Sequence, residues 1–215
     1  MIKTIIFDLD GTLIDSEMII LKSYDYAFSK VLKNHKEPSL TGYRKYILTT
    51  LRGAFLKNTN DEQIIEEGIK TYLEYYRAHE LESISIFDNV KETLLKLKDM
   101  GVKLVLFTNK MLKSAEPSLK HFGIYDLFDE MITINDTKDE PKPSPRGIFI
   151  SMDKTSSTKD ETLMVGDCAI DIISGKNAGV KTALVSFNAW FDEAKKEKPD
   201  YIIDKFNEII KIVGD

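Results

Sequence analysis

Residues 2–12 read Ile2-Lys3-Thr4-Ile5-Ile6-Phe7-Asp8-Leu9-Asp10-Gly11-Thr12. The first half is short, apolar and β-branched, without alternation. That pattern predicts a strand buried on both faces, as in a parallel sheet. Two carboxylates at alternate positions then leave the strand. They can converge on one pocket once the chain turns at Gly11. A glycine there permits a close turn and leaves amide donors for phosphate oxygens. One aspartate can serve as a nucleophile, since aspartate forms acyl-phosphates. The other can protonate a leaving alcohol and later activate water. Thr12 suits a cap for the next element of the chain. The plain alternative is a solvated acidic turn.

Beyond Ser16 the pattern changes. Ile19, Ile20, Tyr24, Ala27, Phe28 and Val31 recur at helical spacing, as do Ile64, Ile65, Ile69, Tyr72, Leu73 and Tyr76. Glu37-Pro38-Ser39 and the stretch from Lys57 to Asp61 punctuate this region. It reads as a helical insertion of three or more helices over residues 16–83. The remaining segments, residues 1–15 and 84–215, form the other unit. There strands and helices alternate. Helices are expected over Val90 to Met100, Met111 to Phe122, Ser144 to Met152, Ile170 to Ala178 and Phe206 to Val213. Strands are expected over Val102 to Phe107, Met131 to Ile134, Thr162 to Val165 and Thr182 to Ser186, with an edge strand at Tyr201 to Ile203. Pro117 must kink its helix or delay its start. Gly101, Gly123 and Gly179 act as helix stops. Such alternation predicts an α/β fold whose parallel sheet is covered on both faces.

In sheets of this kind, ligands bind outside the carboxyl ends of the strands. Those ends carry Asp8 and Asp10, then Thr108 and Asn109, then Gly166 and Asp167. Thr108-Asn109-Lys110 places a hydroxyl and an amide just before a helix, which suits an anion; a simple N-cap is the alternative. Lys142 lies in Glu140-Pro141-Lys142-Pro143-Ser144-Pro145. Flanking prolines reduce the entropy lost in placing it, so its charge could hold both Asp8 and a phosphoryl group. A surface lysine in a stiff loop is the alternative. Asp167 and Asp171 share a helix face at i and i+4. Oxygen-rich pairs of this kind suit magnesium, though acids near a helix N-terminus are also favoured by its dipole. Four such elements in order along one sheet favour a site over four coincidences.

This ordered set resembles the signature motifs of the haloacid dehalogenase superfamily. Asp8-Leu9-Asp10-Gly11-Thr12-Leu13-Ile14-Asp15-Ser16 is similar to its first motif, Thr108 to the second, Lys142 to the third, and Gly166-Asp167 with Asp171 to the fourth. The resemblance covers residues 1 to about 190. It implies a Rossmann-like, doubly wound sheet with an inserted α-helical cap. It implies Asp8 as nucleophile and Asp10 as general acid/base. Magnesium would be held by Asp8, Asp167 and the Asp10 carbonyl, with Asp171 as outer ligand or orienter. Phosphate would be held by Thr108, Lys142 and amides near Gly11 and Asn109. Asp10 argues against the dehalogenases, whose leaving halide needs no proton, and against the ATPase relatives, which usually carry threonine there. The subfamily most resembled is that of phosphoglycolate phosphatase and pyrophosphatase-like members, although Phe87-Asp88-Asn89-Val90 replaces their usual Tyr-Pro-Gly-Val. The implied activity is hydrolysis of a small phosphomonoester. A phosphomutase of the β-phosphoglucomutase type and a non-catalytic binding module are the alternatives.

Bulk properties agree. The chain has 215 residues and a net charge of −5, with 42% hydrophobic and 30% charged residues. A mildly acidic chain has no global attraction for nucleic acid or anionic membranes. The apolar run before Asp8 is too short for a signal peptide, and no stretch reaches the length of a membrane span. Cys168 is the only cysteine, so no intramolecular disulfide forms. A cytoplasmic monomer or weak homodimer, acting on a small phosphorylated metabolite, is expected. Arg52 in Leu51-Arg52-Gly53-Ala54-Phe55 could grip a second acid group of the substrate; an ordinary helix-surface arginine is the plainer reading. His35, His79 and His121 lie outside the motifs. Cys168 and Trp190-Phe191 read as packing residues, and Tyr72, Tyr75 and Tyr76 as core of the helical insertion.

Overall fold

Ile5, Ile6 and Phe7 expose no surface and form the body of strand β1 (Thr4–Phe7). Their uninterrupted apolar character demands cover on both faces, and each such burial contributes about 1.5–3 kcal/mol. In the computed structural model, which describes residues 1–32, 39–138 and 140–214, β1 is central and pairs in parallel on both sides. His35 and Glu37-Pro38 lie outside the described residues.

The chain divides into two compact units, Met1–Asp15 with Ser85–Asp215, and Ser16–Ile84. After β1 comes the two-residue strand β2 (Ile14–Asp15). The second unit follows with α1 (Glu17–Val31), α2 (Arg44–Ile47), α3 (Leu51–Leu56) and α4 (Glu62–Ser83). Its core is aromatic. Tyr24, Phe28, Tyr46, Phe55, Tyr72 and Tyr76 pack together, with the Tyr24 and Tyr72 ring centres 4.8 Å apart. Tyr72 and Tyr76 are thus core residues. Tyr75 is half-buried and stacks on Tyr26 at 4.6 Å. Asp61 starts α4 by accepting from the amides of Gln63 (2.9 Å) and Ile64 (3.3 Å), which satisfies donors that every helix start leaves open.

The chain returns to the first unit through β3 (Ser85–Ile86), then α5 (Val90–Asp99), β4 (Lys103–Phe107), α6 (Leu112–His121), β5 (Glu130–Ile132) and α7 (Arg146–Thr155). It continues with β6 (Thr162–Gly166), α8 (Ala169–Ala178), β7 (Lys181–Val185), α9 (Phe191–Ala194), β8 (Tyr201–Ile203) and α10 (Ile209–Gly214). The six-stranded sheet has the order β5-β4-β1-β6-β7-β8, parallel throughout. From β1 the chain steps outward to β4 and β5, then crosses back to β6 and steps the other way. That reversal is the topological switch point of a Rossmann-like fold, and it lies between β1 and β6. Alternate residues of β1 serve opposite faces: Ile6 joins the cluster of Val105, Phe107, Ile148 and Met164, while the Phe7 ring meets Phe206 at 5.7 Å.

Two details add to the expectation. Pro117 does not delay α6, which begins at Leu112 and runs through the proline; the helix forgoes one backbone donor there. A small antiparallel ladder pairs Ile14 with Ile86 and Asp15 with Ser85, and its two-residue strands are too short to leave a periodic signal. Among the described residues, no helix is long and apolar enough to cross a membrane.

Candidate active site

Asp8 is the first residue after β1, and its own amide donates to the Val165 carbonyl of β6 at 3.0 Å. The ladder therefore continues just past the strand and fixes the aspartate at the switch point. The chain then turns sharply. Gly11 has φ +84°, a conformation that costs a non-glycine residue roughly 1–2 kcal/mol. A Cβ on Gly11 would stand 2.4 Å from Asp167 Oδ2, so only glycine lets the two loops meet. The Gly11 amide donates to the Ile14 carbonyl at 2.8 Å, so the turn commits this donor internally.

Lys142 is the hub. Its side chain is 2% exposed, and Nζ lies 2.5 Å from Asp8 Oδ1, 2.7 Å from Asp171 Oδ1 and 3.2 Å from the Phe107 carbonyl. Three acceptors match the three donors of an ammonium. Asn109 holds the backbone of this residue: its Oδ1 accepts the Lys142 amide at 2.9 Å, and its Nδ2 donates to the Lys142 carbonyl at 3.4 Å. Thr108 is buried, and its hydroxyl oxygen accepts the Lys110 amide at 3.1 Å. Among the described residues the hydroxyl donates to no protein group, so its proton can meet an anion.

Asp171, fully buried, accepts on Oδ2 from the amides of Asp167 (3.3 Å) and Cys168 (3.2 Å) and from the Cys168 thiol (3.0 Å). It reaches back to the start of α8 as in a capping box. A Cβ at position 166 would stand 2.3 Å from the Asp171 Cβ, which explains a glycine at the end of β6. Asp167 is also buried, and its carboxylate receives the Thr12 hydroxyl at 3.3 Å and its own backbone amide.

The electrostatics follow from this crowding. Burial raises the Asp8 carboxyl to about 7; Lys142 opposes the rise and Asp171 adds to it. Burial raises Asp167 well above the usual carboxylate range, with Asp171 and Asp8 reinforcing it. For Lys142, burial works against the ammonium, but Asp171 and Asp8 overcome it and raise its pKa. One cation shared between two carboxylates remains charged without fully compensating either.

A sequence model of the haloacid dehalogenase-like hydrolases matches residues 5–185. The chain belongs to this family. It is 33% identical to pyrophosphatase PpaX of Halalkalibacterium halodurans, over 99% of this chain and 97% of that one. It is 32% identical to pyrophosphatase PpaX of Bacillus cereus, over 100% of this chain and 97% of the relative. Among solved structures, a "predicted phosphoglycolate phosphatase" from Haemophilus somnus aligns with a TM-score of 0.87 at 29% identity, covering 98% of this chain and 97% of that one.

Haloacid dehalogenase-like hydrolases generally need a divalent metal. The residues present fit one. Asp8 and Asp167 are buried hard-oxygen donors whose pKa values are raised by burial and by the neighbouring acids; crowded buried acids of this kind call for a cation. Asp167, Cys168 and Asp171 also stand close enough to share an ion. The Asp171 oxygens, however, already accept from Lys142 and the 167–168 turn, and a thiol is a soft partner for a hard cation.

The expected residues Asp8, Asp10, Gly11, Thr108, Asn109, Lys142, Asp167 and Asp171 all lie in the sheet unit. Arg52 belongs to the other unit. It sits on α3 and pairs with Glu62 and Glu66, the surface role. Three contacts went unforeseen: Lys110 Nζ to Asp10 Oδ1 at 2.8 Å, Thr12 Oγ1 to Asp167, and Asn188 Nδ2 to the Gly11 carbonyl at 3.2 Å. Asn188 follows the end of β7, so the rule of strand carboxyl ends could have flagged it.

Proposed function

We propose that this chain is a magnesium-dependent phosphohydrolase that releases phosphate from a small phosphorylated metabolite through an aspartyl-phosphate on Asp8. The observation that carries the reading is the 2.5 Å contact of Lys142 Nζ with Asp8 Oδ1 at the switch point of the sheet. A carboxylate attacking an anionic phosphoryl group must have its repulsion cancelled, and a buried ammonium fixed by Asp171 and Asn109 does this without reorganising. Phosphate esters hydrolyse so slowly unaided that enzymatic accelerations reach about 10²¹.

In this reading the Asp8 carboxylate attacks phosphorus and the bond to the leaving oxygen breaks. Asp10 gives that oxygen its proton. Asp10 then takes a proton from water, which hydrolyses the acyl-phosphate and restores Asp8. The Thr108 hydroxyl, Lys142 and the Asn109 amide hold the phosphoryl oxygens, since the amides of Thr108 and Lys110 already donate to the Ile132 carbonyl and to Thr108 Oγ1. Asp8, Asp167 and the Asp10 carbonyl would hold Mg²⁺, which supplies positive charge against the gathering negative charge. Asp171 acts behind them as orienter. The helical unit Ser16–Ile84 is read as the cap that governs substrate choice.

The names of the relatives place inorganic diphosphate and phosphoglycolate at the head of a substrate panel. The test is phosphate release over that panel, extended to sugar phosphates and nucleotides, with Mg²⁺ and with EDTA. Magnesium-dependent release that disappears in Asp8→Asn is expected. Silence of the wild type across the panel, or activity that survives EDTA, would overturn the proposal.

A further inference from the structure

The proposed mechanism leaves one lysine of the site without a task. Lys110 follows Asn109 at the carboxyl end of β4, and its ammonium stands 2.8 Å from Asp10 Oδ1. The site thus contains two lysine–aspartate pairs with different surroundings. In the Lys142–Asp8 pair the side chains are 2% and 10% exposed, and Lys142 also donates to Asp171 and to the Phe107 carbonyl. In the Lys110–Asp10 pair they are 19% and 20% exposed, so this pair meets solvent.

In the proposed mechanism Asp8 and Asp10 serve opposite sides of the reaction. Displacement at phosphorus is in line, with the nucleophile on one side and the leaving oxygen on the other. Asp10 marks the leaving side, since it serves that oxygen. A cation touching Asp10 therefore sits where negative charge develops as the bond breaks. A neutral alcohol leaving group needs a proton there, and Asp10 alone can supply it. A leaving group that departs as an anion gains further from a fixed positive charge.

Resting on the phosphohydrolase reading, we infer that Lys110 is a specificity-determining residue that selects substrates whose leaving group carries its own negative charge, with inorganic diphosphate foremost. Its ammonium passes from the Asp10 carboxylate to the anionic leaving group. For diphosphate, an Asp8 oxygen bonds to one phosphorus, the bond from that phosphorus to the bridging oxygen breaks, and the electron pair stays on that oxygen. The first phosphate leaves beside Lys110. Water then hydrolyses the aspartyl-phosphate and a second phosphate leaves, so that diphosphate and water give a pair of hydrogen phosphates. Phosphoglycolate shares the chemistry through its carboxylate, and the test separates the two.

The experiment compares wild type, Lys110→Met and Lys110→Arg for kcat and KM on diphosphate, on phosphoglycolate and on a phosphomonoester of a neutral alcohol, with circular dichroism to confirm folding. Lys110→Met is expected to lose about 10- to 100-fold in kcat/KM on the anionic-leaving substrates relative to the neutral one, the size of a charged contact. Lys110→Arg should recover most of that loss. A larger loss on diphosphate than on phosphoglycolate assigns the lysine to a leaving phosphate; the reverse order assigns it to a carboxylate and overturns the primacy of diphosphate. An equal loss on all three, or none, makes the pair merely structural and overturns the inference. A wild type inactive on all three would instead defeat the phosphohydrolase reading on which it rests.

Discussion

The side-chain carbonyl of Asn109 accepts the backbone amide of Lys142 at 2.9 Å, tying the end of β4 to the proline-flanked loop before α7. The contact is partly buried and fixes the backbone of the residue whose ammonium meets Asp8. Asn109→Ala removes it while leaving every ionisable group of the site intact. A displacement of about 1 Å can cost roughly 100-fold in rate, whereas a lost hydrogen bond costs only about 0.5–1.5 kcal/mol of stability. A kcat reduced about 10- to 100-fold is expected, with a small fall in Tm. Equal kcat values for variant and wild type would remove Asn109 from the positioning of Lys142.

Asp8 yields a prediction about pH. Without metal, its carboxyl rises from the ordinary 3.8 to about 7, chiefly through burial. The folded state then holds a proton that the unfolded chain has released. The favourable contribution is complete below about pH 4 and is lost as pH rises through about 7. Asp8→Asn removes that loss. The metal-free variant should therefore melt above the metal-free wild type at pH 8, and the gap should shrink toward pH 5, while phosphate release is abolished at every pH. A gap that grows on acidification would contradict the burial of Asp8 as a charged group.

Much of this arrangement was legible in the residues. The buried strand could be read because Ile5, Ile6 and Phe7 allow no solvent face, and the site because reactive side chains recur where strands end. Asp171 was harder. Its spacing from Asp167 fits both a metal pair and a capping acid, and only the placement of Lys142 and the Cys168 amide shows where its oxygens are spent. The Lys110–Asp10 contact was not legible, because it joins side chains that follow two strands whose neighbourhood depends on sheet order. The β2–β3 ladder was invisible because two residues carry no period.

Arg52 offers a test of the surface reading. Its guanidinium pairs with Glu62 and Glu66 at exposed positions on α3 and α4. Exposed pairs of this kind are weak and screened by salt. Arg52→Ala should leave KM unchanged for every substrate in the panel and Tm indistinguishable from wild type in physiological salt. A raised KM confined to substrates with a second acid group would restore the alternative role in substrate binding.

Asp167 and Asp171 differ in how their carboxylate oxygens are engaged, which makes the proposed roles of metal ligand and orienter separable by experiment. Asp167 is a buried carboxylate that accepts a long hydroxyl contact and its own amide, whereas Asp171 accepts from Lys142 on one oxygen and from two amides and a thiol on the other. Removing Asp171 as alanine strands the buried Lys142 with half its compensation, and breaking a buried ion pair costs about 3–5 kcal/mol. Asp171→Ala should therefore lower Tm sharply even in EDTA, with Asp171→Asn milder because its amide oxygen can still accept. Asp167→Asn should behave oppositely. It relieves the crowding of buried acids, so the metal-free Tm should hold or rise, while the stabilisation gained on adding Mg²⁺ should largely vanish. Titrating Mg²⁺ while following Tm for the three variants distinguishes the roles. If Asp171→Asn instead lost the magnesium response and Asp167→Asn kept it, the assignments of the two carboxylates would have to be exchanged.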